Sequence, residues 1–431
     1  MALAKSGALV SAVIGDEAFH PDEKVNPASV TKLFTAALAL YRLGPERTFE
    51  TSVAKAGDTL FVLGSGDPTL RTSDLRDLAR CVKEHGVTGV RRVVFSNGPF
   101  NQESVPPAFE SRATDQAYRA GVAGFQVDLN AIQVTVTSEG KVSVEPASLY
   151  VRVENELGQK KGRMAIRTEK DANGFLVVHV TGHSPRPLVT FRRVPDPALH
   201  AAHVFLAALG AEGVTAPDRP QFGDWPKDAE VICTHRSPPV REVLRPMLKE
   251  SLNPVAESLL RLAGAEGAKR PVGFSEGVEA LRRYLTEVVR LDSASFSFRN
   301  GSGLYDANRI SARAVVRFLD FVRTSPVGPV LIEALPVAGV DGTLKSRFKN
   351  TPLAGRVRAK TGTLDDAVSL AGFMKDKEGR EIPFAILVSR PKLNAQSARK
   401  AIDDALLFAS GYVQQPGPRR PPQHKRASPT H

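Results

Sequence analysis

Cysteine is scarce in this chain. Cys81 and Cys233 are the two in 431 residues, and they stand too far apart for a C-x-x-C pair or a zinc spacing, while one disulfide between them is allowed but not dictated. No apolar run approaches the length of a membrane span. The first twenty residues, "MALAKSGALVSAVIGDEAFH", make a poor export signal because their apolar run is short and broken by Gly and Ser. At face value the protein starts in the cytoplasm, yet Ala8 to Ile14 alternates like a core strand already inside a fold, as if the chain began late. No Gly-rich phosphate loop opens a helix, and no aromatic-rich RNA motif is present, so no nucleic-acid partner is expected. His200 and His203 share a helical spacing without a third ligand nearby, which reads as partly buried helix residues.

Charge is present in excess of one sign, +12 from 58 basic and 46 acidic residues, and part of it sits in "QQPGPRRPPQHKRASPTH". A Pro-rich basic tail of this kind buries no core, so residues 416–431 are expected to be disordered. The remaining basic surface suits anionic polymers or is simply a solvated face. Hydrophobic content of 42% and charged content of 24% are those of a globular protein, and the length predicts two or three domains.

From Thr48 to about Val231, short alternating segments such as "VSVEPASLYVRVENE" and "GFLVVHVTGHS" recur between turns, interrupted by one helix-strand unit, "TSDLRDLARCVKEHG" and "VRRVVFSN". Helices return after Ser237 in "VREVLRPMLKESL", "PVAESLLRLAGA", "EGVEALRRYLTEVVRL" and "ISARAVVRFLDFVRT". Strands "GRVRAKTGTL", "AVSLAGFM" and "PFAILVSR" follow, closed by a helix from about Ala395 to Ala409. Helix-rich ends around a strand-rich middle predict an α+β fold whose main domain, residues 1–51 and 238–415, is made from both ends of the chain. Residues 52–237 form an inserted accessory region, expected to hold two nested subdomains.

Within "NPASVTKLFTAALALYRLG", Asn26 suits an N-cap, Pro27 a first helical position and Gly44 a C-terminal stop. The apolar residues wrap most of the helix, which predicts burial on several sides. Ser29 and Lys32, three apart in its first turn, are close enough for the amine to take the hydroxyl proton. S-x-x-K arises by chance roughly twice in such a chain. Ser52/Lys55, Ser138/Lys141, Ser346/Lys349, Ser389/Lys392 and Ser397/Lys400 share the spacing, and only Ser29 adds a capped start and a partly desolvated lysine, whose amine would be basic at neutral pH. Ser251 and Asn253 form the one S-x-N, between two helices and next to Pro254, where both side chains can project into a cleft. "AKTGT" is rarer, with about 0.1 K-T-G expected by chance. There Lys360 is a fixed charge, Thr361 and Thr363 offer hydroxyl donors, and Gly362 leaves room for a ligand along the strand. Strand parity separates Lys360 from the two threonines and leaves open how all three serve one site.

Ser29-Val-Thr-Lys32, Ser251-Leu-Asn253 and Lys360-Thr-Gly362, in this order, resemble the penicillin-recognising serine enzymes. The words "NPASVTKLFTAALALYRLG", "LGSGDPTL", "HRSPPVREVLRPMLKESLNPVAESLLR", "NGSGLYDANRISA" and "VDGTLKSRF" extend the likeness to the D-alanyl-D-alanine carboxypeptidase/endopeptidases of low-molecular-mass class C, peptidase family S13. That resemblance implies a serine β-lactamase/transpeptidase-like domain with a large strand-rich insertion. It implies that Ser29 attacks the carbonyl between two D-alanines of a peptidoglycan stem peptide, or of a D,D cross-link, to form an acyl-enzyme that water hydrolyses. Lys32 would be the acylation base, Ser251 the relay to the leaving amine and Asn253 the holder of the substrate amide. Lys360 would supply positive field, Thr361 and Thr363 would bind the terminal carboxylate, and the amides of Ser29 and Thr363 would form the oxyanion hole. β-Lactams would acylate the same serine, and no metal or organic cofactor is implied. Asp115 and Tyr118, in a segment similar to the family's substrate side-chain region but lacking its tryptophan, are further candidates for contacting the third stem residue.

A periplasmic or cell-envelope location follows from the resemblance. The usual export signal, first strand and first helix have no counterpart, which suggests a start placed late or a shortened N-terminal end. The alternatives left open are a β-lactamase or esterase of the same fold, a non-catalytic wall-binding scaffold, and a basic polymer-binding protein whose binding is lost on removal of residues after Gln415.

Overall fold

The computed structural model describes residues 7–109, 114–158, 162–183, 186–226, 228–305, 307–389 and 394–412. The basic tail of residues 416–431 lies outside them. The fold is α+β. None of the described helices is long and apolar enough to cross a membrane.

Both ends of the chain meet in one antiparallel sheet, ordered Val357–Leu364, Ala367–Lys375, Glu381–Ser389, Leu9–Ile14 and Glu17–Phe19. The alternating segment at the start of the chain is thus a strand, with Val10 opposite Val388 and Ile14 opposite Phe384. The central strands are apolar at nearly every position because both faces are covered. On one face Leu370, Phe384, Ile386 and Val388 pack against Ala398, Ile402 and Leu406 of the helix Ala395–Ala409. On the other, Ala371, Phe373, Ala385 and Leu387 share a core with Leu33, Phe34 and Ala37 of the helix Lys32–Leu43. Helices Val240–Lys249, Asn253–Ala265, Phe274–Arg283 and Ala312–Thr324 surround that second helix, which is why it is apolar around most of its circumference.

The middle of the chain forms its own sheets. Glu50–Ala56 pairs antiparallel with Glu230–Arg236, so the strands entering and leaving this region close on each other. They belong to a five-stranded sheet ordered Gln221–Phe222, Arg92–Ser96, Thr59–Leu63, Glu50–Ala56, Glu230–Arg236. Thr59–Leu63 and Arg92–Ser96 run parallel, joined through the helix Thr72–Glu84, which makes the expected helix-strand unit a β-α-β crossover. A disulfide joins Cys81 of that helix to Cys233. A separate core of Ile132, Val134, Tyr150, Val178 and Val180 lies between two three-stranded sheets spanning Ala131–Arg193. His200 and His203 lie in the helix Pro197–Ala211 against Tyr150, and burial holds the His200 imidazole neutral, pushing it down to about 3.

Candidate active site

The helix expected from Asn26 begins later. Ala28–Thr31 form a 3₁₀ turn, and α-helical geometry starts at Lys32. The Asn26 carboxamide oxygen accepts from the Ala28 amide at 2.9 Å, fixing Ala28 at φ +48°, and Gly44 ends the helix at φ +82° as expected. The tight turn brings Ser29 Oγ to 3.0 Å from Lys32 Nζ.

Lys32 is fully buried, and its amine touches three oxygens: Ser29 Oγ, Asn253 Oδ1 at 2.6 Å and the Ser302 carbonyl at 2.7 Å. The Asn253 orientation is fixed by its Nδ2, which donates to the Tyr118 carbonyl at 2.8 Å. Burial, followed by repulsion from Lys360, pushes the Lys32 amine well below the ordinary lysine range, while Glu257 opposes the shift. A neutral amine has two N–H groups and one lone pair. Asn253 Oδ1 and the Ser302 carbonyl can only accept, so in the neutral form they would take the two N–H groups and leave the lone pair for the Ser29 hydroxyl; the charged form donates to all three oxygens.

Lys360 is also fully buried, and its position resolves the parity problem. It points to the inner face of its strand, where Nζ donates to Ser251 Oγ at 2.9 Å and to the Thr361 carbonyl at 2.8 Å. Burial pushes it down to about 7. Ser251, held at φ +64°, thus accepts from Lys360 and keeps its own proton for another acceptor. Thr361 and Thr363 lie on the outer face, where Thr361 Oγ1 donates to Thr343 Oγ1 at 2.8 Å. Their backbones share the free edge of the sheet: the Ala359 amide donates outward to the Pro336 carbonyl at 3.1 Å, and the two-residue period puts the Thr361 and Thr363 amides on the same edge. One strand therefore presents a buried cation from one face, hydroxyls from the other and amides from its edge.

Gly362 serves a purpose other than the one its sequence context suggests. A Cβ there would lie 2.1 Å from Ser369 Oγ and 2.7 Å from the Pro27 carbonyl, so the missing side chain lets the strand pack on the 3₁₀ turn and does not clear a ligand path.

The family model of the D-Ala-D-Ala carboxypeptidase 3 (S13) family matches residues 7–409. The chain belongs to that family. It is 32% identical over 418 residues to the D-alanyl-D-alanine carboxypeptidase of Actinomadura sp. (strain R39), covering 88% of this chain and 76% of that one. It is 24% identical over 388 residues to the D-alanyl-D-alanine carboxypeptidase DacB of Haemophilus influenzae, covering 84% and 80%. The crystal structure of penicillin binding protein 4 from H. influenzae shares the fold with a TM-score of 0.81 at 21% identity, over 94% of this chain and 99% of that one. A predatory peptidoglycan endopeptidase of Bdellovibrio bacteriovorus shares it at a TM-score of 0.53 and 17% identity, over 92% and 90%. Membership of the S13 family makes this protein a serine-type peptidase of the D-Ala-D-Ala carboxypeptidase class.

In this S13 enzyme, the two further candidates part company. Tyr118 is half exposed and lines a cavity of about 1040 Å³ together with Ser251 and Asn253. Asp115 lines a different cavity, where its carboxylate accepts from the Thr168 amide and pairs with Arg192 Nε at 3.1 Å. It ties the strands Ala165–Lys170 and Leu188–Arg193 together, apart from the cavity that Tyr118 lines.

Glu257 was missed from the sequence. Fully buried, it accepts from the amides of Gly301 at 3.1 Å and Ser302 at 2.8 Å and so fixes the loop whose Ser302 carbonyl holds Lys32. Burial raises its carboxyl above the ordinary range, which hydrogen bonds from Ser302 and Gly301 offset only in part. Asn253, Glu257 and Arg261 recur every four residues on one helical face. Arg261, buried between the rings of Phe100 and Phe274, anchors the far end of that face by donating to the Val272 carbonyl at 2.7 Å. The signal was a glutamate and an arginine four apart on one face of an otherwise apolar helix.

Proposed function

We propose that this S13 peptidase hydrolyses D-Ala-D-Ala peptide bonds of peptidoglycan in the cell envelope through an acyl-enzyme on Ser29. The observation that carries this assignment is the buried Lys32 amine, 3.0 Å from Ser29 Oγ and held there by two oxygens that can only accept, Asn253 Oδ1 and the Ser302 carbonyl. Ser29 Oγ adds to the scissile carbonyl carbon as Lys32 takes its proton, and the carbon–nitrogen bond breaks as Ser251 passes a proton to the leaving nitrogen. Asn253 holds the substrate amide on the acyl side through the second hydrogen of its Nδ2, the first being given to the Tyr118 carbonyl. The charged form of Lys360 lends positive potential at the Ser251 hydroxyl. The edge amide of Thr363 is available for the oxyanion, with the hydroxyls of Thr361 and Thr363 on the leaving-group carboxylate. Water then hydrolyses the ester. β-Lactams, which present a strained amide and a carboxylate, are expected to acylate the same oxygen.

The test is intact mass after incubation with a fluorescent penicillin, beside Ser29→Ala, followed by release of D-alanine from a D-Ala-D-Ala peptide. A covalent adduct and D-alanine release, both absent in the variant, support the assignment. A folded protein that forms no adduct and releases no D-alanine overturns it.

A further inference from the structure

The carboxamide of an asparagine is nearly symmetric in shape, so what Asn253 offers to Lys32 depends on a half-turn about its last bond. One acceptor makes that choice. The Tyr118 carbonyl can take only a donor, so it draws Asn253 Nδ2 at 2.8 Å and leaves Oδ1 on Lys32 at 2.6 Å. Turned over, the side chain would set an NH₂ against the Lys32 amine and an oxygen against a carbonyl. The place of the Tyr118 carbonyl therefore matters to the site, although Tyr118 stands in a short 3₁₀ turn, Ala117–Arg119, with its ring half exposed.

That turn is held from two sides. On one, the buried Arg119 donates from Nε to the Phe109 carbonyl at 3.2 Å. On the other, the buried Asn130 donates from Nδ2 to the Gly121 carbonyl at 2.7 Å and to Gln126 Oε1 at 2.8 Å. Asn130 Oδ1 has no hydrogen-bond partner among the described residues, so what this side chain holds, it holds through Nδ2. Gln126, also buried, donates from Nε2 to Ser258 Oγ at 2.9 Å and to the Gly66 and Asp67 carbonyls at 3.2 Å. Ser258 and Asn253 belong to one helix, Asn253–Ala265. The hydrogen bonds thus close a ring from that helix through Gln126, Asn130 and the Tyr118 turn back to Asn253.

The ring is made against the preference of the backbone. Asp128, Leu129 and Asn130 stand in succession at φ +49°, +56° and +59°, a left-handed run for which a leucine has no polar compensation. It is imposed from outside. The Asp128 carboxylate accepts from the Thr72 hydroxyl at 2.5 Å, the Asp128 amide donates to the Leu70 carbonyl at 3.0 Å, and the Asn130 carbonyl accepts from the Val194 amide at 2.9 Å. Strain that its surroundings over-determine collects where geometry serves a site. Here it aims Asn130 at the Gly121 carbonyl and seats Leu129 on the core that holds the Lys32 helix.

We propose that Gln126 and Asn130 are positioning residues of this peptidase: through the Tyr118 carbonyl they keep Asn253 in the one orientation that turns its oxygen to Lys32 and its amide hydrogen to substrate. The proposal rests on the acyl-enzyme reading above and adds to it a bracket from the accessory region, in the word "GFQVDLN", that none of the three motifs contains.

Asn130→Gly removes the donor and leaves a residue that takes φ +59° without strain. Full-length variants are followed with fluorescent penicillin, and the acylation rate constant at saturation is read separately from the half-saturating concentration and from adduct stoichiometry. The rate constant is expected to fall about ten-fold, as for one lost hydrogen bond, with half-saturation within about three-fold and full stoichiometry retained. In the Asn253→Ala background the same change should slow acylation less than about two-fold, because the bracket has nothing left to orient. Ser258→Ala opens the ring at its other end and should slow acylation about three-fold, which decides the question if Asn130→Gly does not fold. Val178→Ala, in the accessory core away from the ring, should lower the thermal midpoint and leave the rate constant alone. An unchanged rate constant in the bracket variants, an equal loss with and without Asn253, a loss confined to stoichiometry or half-saturation, or the same slowing in Val178→Ala would overturn the bracket. An unaltered protein that takes up no penicillin would instead overturn the acyl-enzyme reading, and the bracket's role with it.

Discussion

Lys360→Met separates stability from function. The amine is wholly enclosed and makes two hydrogen bonds, and burial lowers it from an ordinary 10.5 to about 7. At about 1.4 kcal/mol per pH unit, a shift of that size corresponds to roughly 5 kcal/mol of unfavourable free energy when the charged form is buried. The sign follows from proton uptake. Below about pH 7 both folded and unfolded chains carry the proton, and the destabilisation is complete. Between about 7 and 10.5 only the unfolded chain binds it, so this lysine's penalty shrinks by about 1.4 kcal/mol for each pH unit and is gone above that window. Methionine has a similar length and no charge, and other groups contribute alike to both proteins. Urea denaturation at pH 6, 7, 8 and 9 should find the variant more stable at pH 6, by up to a few kcal/mol after the lost hydrogen bonds are allowed for. That advantage should fall by about 1.4 kcal/mol per pH unit from 7 upward. Penicillin acylation should drop about 100-fold, because Ser251 loses its donor and its positive neighbour. A stability difference that does not vary with pH would refute the account of a desolvated amine, and undiminished acylation would refute its part in the site.

Lys32→Met should reduce acylation by about 1,000-fold with the fold retained, measured by rapid-mix labelling with fluorescent penicillin, because the base is gone and a buried amine is replaced by an apolar chain. Glu257→Gln keeps one oxygen for two amides and turns its NH₂ toward the other, so thermal unfolding should show about 1–3 kcal/mol lost, with slower acylation as the Ser302 carbonyl shifts. Gly303→Ala, at φ +75° with the new Cβ only 1.8 Å from the Ala28 carbonyl, should displace the Ser29 turn and lose more than about 2 kcal/mol and most acylation. Replacing Cys81 and Cys233 together by alanine opens a link across 152 residues and should lower stability by about 2–5 kcal/mol in urea while leaving acylation at 25 °C unchanged, because the bridge joins the helix Thr72–Glu84 to the strand Glu230–Arg236 and touches none of Ser29, Lys32 or Ser251.

Much of this was legible because local chemistry speaks locally. The helix Ala395–Ala409 and the three strands before it fall where their periodicity places them, since a strand covered on both faces must be apolar throughout. Ser29 stands apart from five other S-x-x-K words because it alone combines a capping residue ahead with an apolar helix behind. The boundaries of the accessory region were harder to read, because a strand pair joining Glu50–Ala56 to Glu230–Arg236 leaves no mark in either segment alone. We propose that the region is delimited by that pair. The same limit hid the pairing of Cys81 with Cys233 and of Asp115 with Arg192, each partner being distant in sequence.

The sequence by itself determined which groups were available: a serine and a lysine one helical turn apart, a serine and an asparagine at a helix junction, and a lysine, a glycine and two threonines in one strand. Tertiary structure alone decided what those groups are. Burial above all moves these lysines toward neutrality, and the burial of Lys32 is supplied by Asn253 and Ser302, more than two hundred residues away. Only the packing of the strand face at Gly362 against the 3₁₀ turn sets Lys360 beside Ser251 and close to the turn that carries Ser29, because proximity in space is not written in any one stretch of chain.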